Sequence, residues 1–365
     1  MIFVKRGRVD RVLLASVLLI AILGTLFVYS ATWGRVYSDG DISALVIKQA
    51  MWALIGLVFL FLIANSDYRR ILYFAYFAYA LNLAALVFLL FFGGERYGAR
   101  RWITLGPVSL QPSEFVKITM ILALAAFFGE RRERIGMLKN YLGSILLIIP
   151  AIVLIFLQPD LGTALMLIPI FFSIAYICGE RTRHILASLI LGIASLPFFW
   201  RLLKVYQRNR LMVFINPDLD PLGAGYTIIQ SKIAIGSGGI LGKGWLNGSQ
   251  SYLKFLPERH TDFIFSVIGE EWGFIGALIL IGLYALVIVR GLRIVAAAGD
   301  ICGKAVATGV VTLIAFQVFV NISMTIGLMP VVGLPLPAIS YGGSSTVATL
   351  IGVGFLLSIG RRAYR

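Results

Sequence analysis

The chemistry-bearing residues of this sequence converge on one stretch, Phe255-Leu-Pro-Glu-Arg-His-Thr-Asp262, which runs directly into an apolar segment carrying Glu270 and Glu271. Glu258, His260 and Asp262 crowd one point, and Pro257 fixes the chain direction just ahead of them. A carboxylate at the boundary between water and an apolar phase has its pKa raised by desolvation or lowered by a neighbouring arginine or lysine. Either tuning suits a general base. Asp262 reads equally well as the N-cap of the helix that follows. On that helix Glu270 lies about 80° and Glu271 about 180° around from Asp262. The two glutamates therefore read as partners for buried donors. Gly269 and Gly273 do fall on the Asp262 face, where another helix or a ligand can approach closely.

Other groups stand at the ends of apolar runs. Gln111-Pro-Ser-Glu114 with Lys117 opens one of them. Pro112 suits a first helical turn, and Glu114 meets the positive helix end. Glu114 and Lys117, three apart, share a face and can pair; alternatively Lys117 meets a substrate phosphate. Arg101, beside Trp102, is a candidate phosphate or diphosphate contact, for which a guanidinium is geometrically suited. Asp160, in the short turn Gln158-Pro-Asp160, is either a helix cap or part of a binding surface. The glycine-rich segment 236–248 lies near Lys232 and Lys243 and lacks the spacing of a P-loop. It is either a connector that needs positive φ or a backbone that comes close to an anionic or sugar ligand. Between Met329 and Ser345, three prolines and three glycines force an extended path. Such backbone at membrane depth lines a cavity or is buried in protein. Ser340 and Tyr341 would belong to its polar face.

Some chemistries are excluded. The chain has two histidines, His184 and His260, predicted on opposite sides of a membrane, so a His-ligated zinc site is out and no metal ligands are assigned. No Gly-x-Ser-x-Gly elbow occurs, and Cys178 and Cys302 have neither metal nor disulfide-framework spacing.

The elements that must position these residues follow from composition. Of 365 residues, 59% are hydrophobic and 13% charged, against about half and a quarter in ordinary globular domains. The expected fold is an all-α integral membrane protein, a single polytopic domain over 1–365. Ten apolar stretches are long enough, or nearly so, to span a bilayer: 12–31, 44–64, 71–92, 113–128, 143–158, 161–178, 184–203, 262–289, 305–327 and 342–360. The first reads as an uncleaved span. An even number puts both termini in the cytoplasm, which the positive-inside rule supports: Arg131, Arg181, Arg290 and Arg361 all fall in inside segments. The net charge of +15 thus reports topology first, not nucleic acid. Two outside regions break the rule. One holds Arg96, Arg100, Arg101 and Lys117. The other is the loop 204–261 between spans seven and eight, with Arg210, Lys232 and Lys243. Its length predicts a structured, functional segment containing one or two re-entrant or interfacial helices. The excess positive charge outside fits anionic lipid headgroups or a phosphate-bearing substrate.

Several segments together resemble one family. Arg101-Trp-Ile103, Gln111-Pro-Ser-Glu-Phe-Val-Lys117, Gln158-Pro-Asp-Leu-Gly-Thr163, Gln230-Ser-Lys-Ile-Ala-Ile-Gly-Ser-Gly-Gly239, Phe255-Leu-Pro-Glu-Arg-His-Thr-Asp262 and Pro335-Leu-Pro-Ala-Ile-Ser-Tyr-Gly-Gly343 look like the SEDS family (shape, elongation, division and sporulation), in order along nearly the whole chain. The short termini favour its elongation-type branch over the division type. The resemblance implies a ten-span peptidoglycan glycosyltransferase of the bacterial inner membrane. It would polymerise lipid II, a disaccharide-pentapeptide on undecaprenyl diphosphate, on the outer side during cell elongation. It implies Asp262 as the essential carboxylate. It implies as partners a class B penicillin-binding protein, the nascent glycan, membrane lipids and the elongation machinery. No organic cofactor is expected; a divalent cation (Mg2+ or Mn2+) beside the diphosphate is compatible with the chemistry. In this reading Arg101, Lys117, Arg210, Lys232 and Lys243 stabilise the leaving diphosphate. Two other functions compete. One is a flippase for a lipid-linked oligosaccharide, which should carry its charges near mid-membrane. The other is a scaffold for the transpeptidase, in which Asp262 would be dispensable.

Overall fold

The computed structural model describes residues 9–39, 44–93, 101–105, 108–216, 219–220, 223–253 and 255–363. Arg96, Arg100 and Lys254 lie outside them. In chain order the helices are α1 (Arg11–Asp39), α2 (Ala44–Asn65), α3 (Tyr68–Leu72), α4 (Ala75–Phe92), α5 (Pro112–Glu130), α6 (Leu138–Leu157), α7 (Leu161–Ile177), α8 (Thr182–Leu202), α9 (Val205–Ile215), α10 (Ala224–Ser237), α11 (Ser249–Tyr252), α12 (Ile264–Ala297), α13 (Ile301–Thr325) and α14 (Gly343–Ala363). Eight of them are long and apolar enough to cross a membrane, namely α1, α2, α4, α5, α6, α12, α13 and α14; the apolar helices α7 and α8 are shorter.

The apolar runs set this architecture, and burial sorts the helices. Helices α5, α13 and α14 form the centre, with most side chains buried; α2, α4, α6 and α12 bury one side and present Leu, Ile and Phe on the other. Helix α8 exposes Leu189, Ile190, Leu191 and Ile193. Apolar surface on this scale is unfavourable in water and suits lipid.

Three details depart from the sequence expectations. A two-stranded antiparallel hairpin, β1 (Ile103–Leu105) with β2 (Val108–Leu110), precedes α5 and pairs Ile103 with Leu110; its β-branched residues favour extended pairing. The third run is divided, with the short α3 separated from α4. The loop 204–261 holds α9, α10 and the single-turn α11.

The eighth span starts at Ile264 rather than at Asp262 and is interrupted at Gly273, whose φ is 63° and ψ −159°. The interruption frees backbone groups that cannot be left unpaired at depth. The segment 236–248 supplies their partners. The amides of Lys243 and Gly244 donate to the carbonyls of Glu270 and Glu271, both at 3.0 Å. The amides of Phe274 and Ile275 donate to the carbonyls of Gly239 and Ile240, at 2.9 and 3.1 Å. Glycine is needed for the approach: a Cβ on Gly242 would lie 2.1 Å from the Glu271 carbonyl oxygen. Of the two sequence readings for this segment, the connector with positive φ is the one observed. The backbone it approaches belongs to α12.

Candidate active site

Asp262 sits two residues ahead of α12 and does not cap it; the N-cap is Phe263, without a side-chain bond. Its position is fixed through the main chain. Asn321 of α13, fully buried, donates one side-chain N–H bond to the Asp262 carbonyl at 3.0 Å and one to the Leu334 carbonyl at 2.7 Å. The neighbouring backbone is held as well. Ser340 Oγ donates to the Thr261 carbonyl at 2.5 Å and accepts from the Leu336 amide at 2.8 Å. The Tyr341 amide donates to the His260 carbonyl at 2.8 Å. The non-helical segment 328–342 closes a turn of its own, the amides of Ile339 and Ser340 donating to the Leu336 carbonyl at 3.1 and 3.0 Å, and is held by neighbouring helices: Gln317 donates to the Pro335 carbonyl at 2.8 Å and Tyr284 to the Pro337 carbonyl at 2.6 Å. Ser340 and Tyr341 thus brace the Phe255–Asp262 stretch.

Two cavities meet at Asp262. The first, about 140 Å³, is lined by Arg210, Thr227, Pro257, Glu258, Asp262 and Val331 among others. The second, about 150 Å³, is lined by Arg101, Asp160, Tyr206, Arg210, Asp262 and the backbone at 330–333. Asp262, Arg210 and Val331 belong to both. Gly333 lies against the carboxylate: a Cβ there would be 3.4 Å from Asp262 Oδ2. A third cavity, about 180 Å³, lies on the other side of Glu258 and is lined by Thr32, Pro257, Arg259 and His260. The His260 ring packs on Tyr341, with centroids 5.7 Å apart.

Burial and the charge of Glu258 push the Asp262 carboxyl up to about 6, with Asp160 adding to the rise and Arg210 and Arg101 opposing it. The environment holds an acid whose conjugate base forms near neutral pH and is a stronger base than an ordinary carboxylate.

The basic residues expected around the site divide. Arg210, exposed on α9, faces both cavities; it makes a long hydrogen bond, 3.4 Å, to the Val331 carbonyl, and its guanidinium lies 5.8 Å from the centre of the Tyr206 ring. Arg101 lines the second cavity and clamps the 158–160 turn, donating to the Gln158 carbonyl at 3.0 Å and to the Pro159 carbonyl, with Asp160 at 3.8 Å. Asp160 is also the cap foreseen for α7, accepting from the Thr163 amide at 3.3 Å. The structure does not bring the remaining three to Asp262. Lys117 forms a buried ion pair with Glu114 at 2.8 Å, and neither lines the cavities around Asp262. Lys243 pairs with Glu270 at 2.7 Å, and Ser30 donates to Glu271, as expected of glutamates that serve buried donors. The ammonium end of Lys232 lies against Gly327, just past α13, outside the cavity walls. Asn321 had no signal in the sequence beyond an amide in an apolar run, one helical turn after Gln317.

Fold and site together define a polytopic helical membrane protein that presents one tuned carboxylate to two adjoining cavities at the mouth of a spanning helix. The chain belongs to the FtsW/RodA/SpoVE cell cycle protein family, whose model matches residues 10–365. It is 43% identical over 351 residues to the peptidoglycan glycosyltransferase MrdB of Escherichia coli K12, covering 96% of this chain and 94% of that protein. Among solved structures, one reported for the structural coordination of polymerization and crosslinking by a peptidoglycan synthase complex superposes with a TM-score of 0.81 at 37% identity, covering 98% of this chain and 99% of that one. The rod shape determining protein RodA of Thermus thermophilus superposes with a TM-score of 0.73 at 33% identity, covering 98% of each chain.

Proposed function

We propose that this chain is the elongation-type peptidoglycan glycosyltransferase of its cell, using lipid II as substrate and Asp262 as the general base. The observation that carries the mechanism is the place of Asp262 as a shared wall of two cavities. A polymerase must hold two sugars at once, and its base must reach the hydroxyl of one as it attacks the other.

In this reading Asp262 accepts the proton of the acceptor GlcNAc 4-hydroxyl as that oxygen bonds to the anomeric carbon of the donor MurNAc. The bond from that carbon to the diphosphate oxygen breaks, and undecaprenyl diphosphate leaves with the electron pair. An α-linked donor giving a β-1,4 product requires one inverting displacement and no enzyme nucleophile. The diphosphate needs charge stabilisation more than protonation. Arg210 and Arg101 are the cations in position, Arg210 being the less committed. Among the described residues no group of three or more His, Cys, Asp or Glu could hold a cation. A divalent ion carried by the diphosphate would need only one or two protein carboxylates, and no step is routed through one.

Ten spans, counting α7 and α8, would place both termini in the cytoplasm and Asp262 on the outer side of the inner membrane, as one integral unit. That placement also suits docking of a class B penicillin-binding protein, which would crosslink the emerging strand. Glycan made from purified lipid II in detergent supports polymerisation. Transfer of lipid II across vesicle bilayers without polymer would instead favour a flippase.

A further inference from the structure

At the end of the bundle opposite Asp262, the start of α1 and the last turns of α12 border a shallow, open groove of about 790 Å³. Asp10, Arg11, Arg290 and Arg293 line it, and Val12 and Ala297 belong to its apolar walls. The one carboxylate is already engaged: Asp10 Oδ1 accepts from the Leu13 amide at 3.0 Å and lies 3.5 Å from Arg290 Nε. Among the described residues no other ion pair forms in the groove. Arg11 and Arg293 are exposed on its rim. Arg11 is the first residue of α1, where the positive helix end disfavours a cation and favours an anion. The groove thus has a surplus of two guanidiniums, and the helix terminus adds to their field. Its surroundings are apolar as well: Val12, Val289 and Leu292 present open faces on the same two helices.

We propose that this groove binds the phosphodiester headgroup of an anionic phospholipid from the leaflet on that side. The phosphate sits between Arg11 and Arg293, and the glycerol and upper acyl carbons run along Val12 and Ala297. Basic pockets between spanning helices hold such headgroups by the combination of charge and apolar wall found here. A free phosphate would use the arginines but leave the apolar walls without a partner. The site is independent of the glycosyl transfer proposed for Asp262.

The test is native mass spectrometry of the purified full chain incubated with phosphatidylglycerol, with phosphatidylethanolamine, or with inorganic phosphate. The expected result is preferential retention of phosphatidylglycerol. The Arg11→Ala/Arg293→Ala double variant should weaken that retention about 30-fold, roughly fivefold for each arginine lost. An Arg361→Ala/Arg362→Ala control should leave it unchanged. Equal retention of both lipids, no effect of the groove variant, or an equal effect of the control overturns the proposal. Displacement of the lipid by millimolar inorganic phosphate overturns the lipid assignment. Should the double variant not fold, hydrogen exchange on the wild-type chain decides. Phosphatidylglycerol and not phosphatidylethanolamine must protect residues 9–12 and 290–297; no selective protection contradicts the site.

Discussion

The side-chain amide of Asn321 joins two walls of the site, donating to the main-chain carbonyl of Asp262 at 3.0 Å and to that of Leu334 at 2.7 Å. One buried amide on α13 therefore sets the height of Asp262 against Leu334, the residue that follows the cavity backbone at 330–333. Asn321→Leu leaves both carbonyls without this donor, and each buried polar group so orphaned costs about 1–3 kcal/mol. The variant is expected to unfold at lower temperature and to turn over more slowly than that stability loss explains. Thermal unfolding compared with initial polymerisation rates on the same preparations checks this.

The pH dependence has a defined sign. Asp262 must be deprotonated to act, and its carboxyl is pushed up to about 6. kcat/KM should therefore rise with pH through about 6 and level off above. Glu258 contributes to the upward shift through its negative charge. Glu258→Gln should move the acid limb to lower pH. Arg210 opposes the shift, so Arg210→Gln should move the limb to higher pH while also weakening substrate binding. Initial rates across pH 4.5–8 at about tenfold sub-saturating lipid II report the free-enzyme value.

Lys117 and Glu114 make a buried pair with side chains 1% and 4% exposed. Removing one partner strands a buried charge, a loss of about 3–5 kcal/mol, whereas replacing both with apolar groups of similar size is close to neutral. Lys117→Met is expected to destabilise strongly, and Glu114→Leu/Lys117→Met to recover most of the loss. Denaturation midpoints of the three proteins test the pair.

The glycines around the kink separate space from strain. Gly273 has φ 63°, and a Cβ there would meet the Gly242 nitrogen at 2.3 Å, whereas Gly239 has φ 56° and nothing within 4 Å. Gly239→Ala should cost only the left-handed backbone penalty, about 1–2 kcal/mol. Gly273→Ala must also push the segment 236–248 off α12 and should cost more. Thermal stability of the two variants ranks them directly.

These residues also mark what was legible from sequence. The apolar runs were, because bilayer thickness imposes a length on each. The cap at Asp160 and the Glu114–Lys117 pair were, because both depend on local spacing. The glycines of 236–248 announced a close backbone approach but not its target, since that target is a break in α12 some 30 positions later in the chain. The expected cradle of five cations shrank to Arg101 and Arg210 for the same reason: Lys117 and Lys243 have partners that neutralise them, Lys232 lies away from the cavities, and charge counting sees none of this. Asn321 was invisible because its partners are main-chain carbonyls, which every residue has.

The central claim concerns Asp262, and polymerisation of purified lipid II by wild type and Asp262→Asn tests it most directly. The amide keeps the shape of the carboxylate but cannot take a proton. Loss of the base should lower the rate by about 10²- to 10⁴-fold, with thermal stability and lipid II binding close to wild type. Polymerisation by the variant at a near wild-type rate would contradict the account.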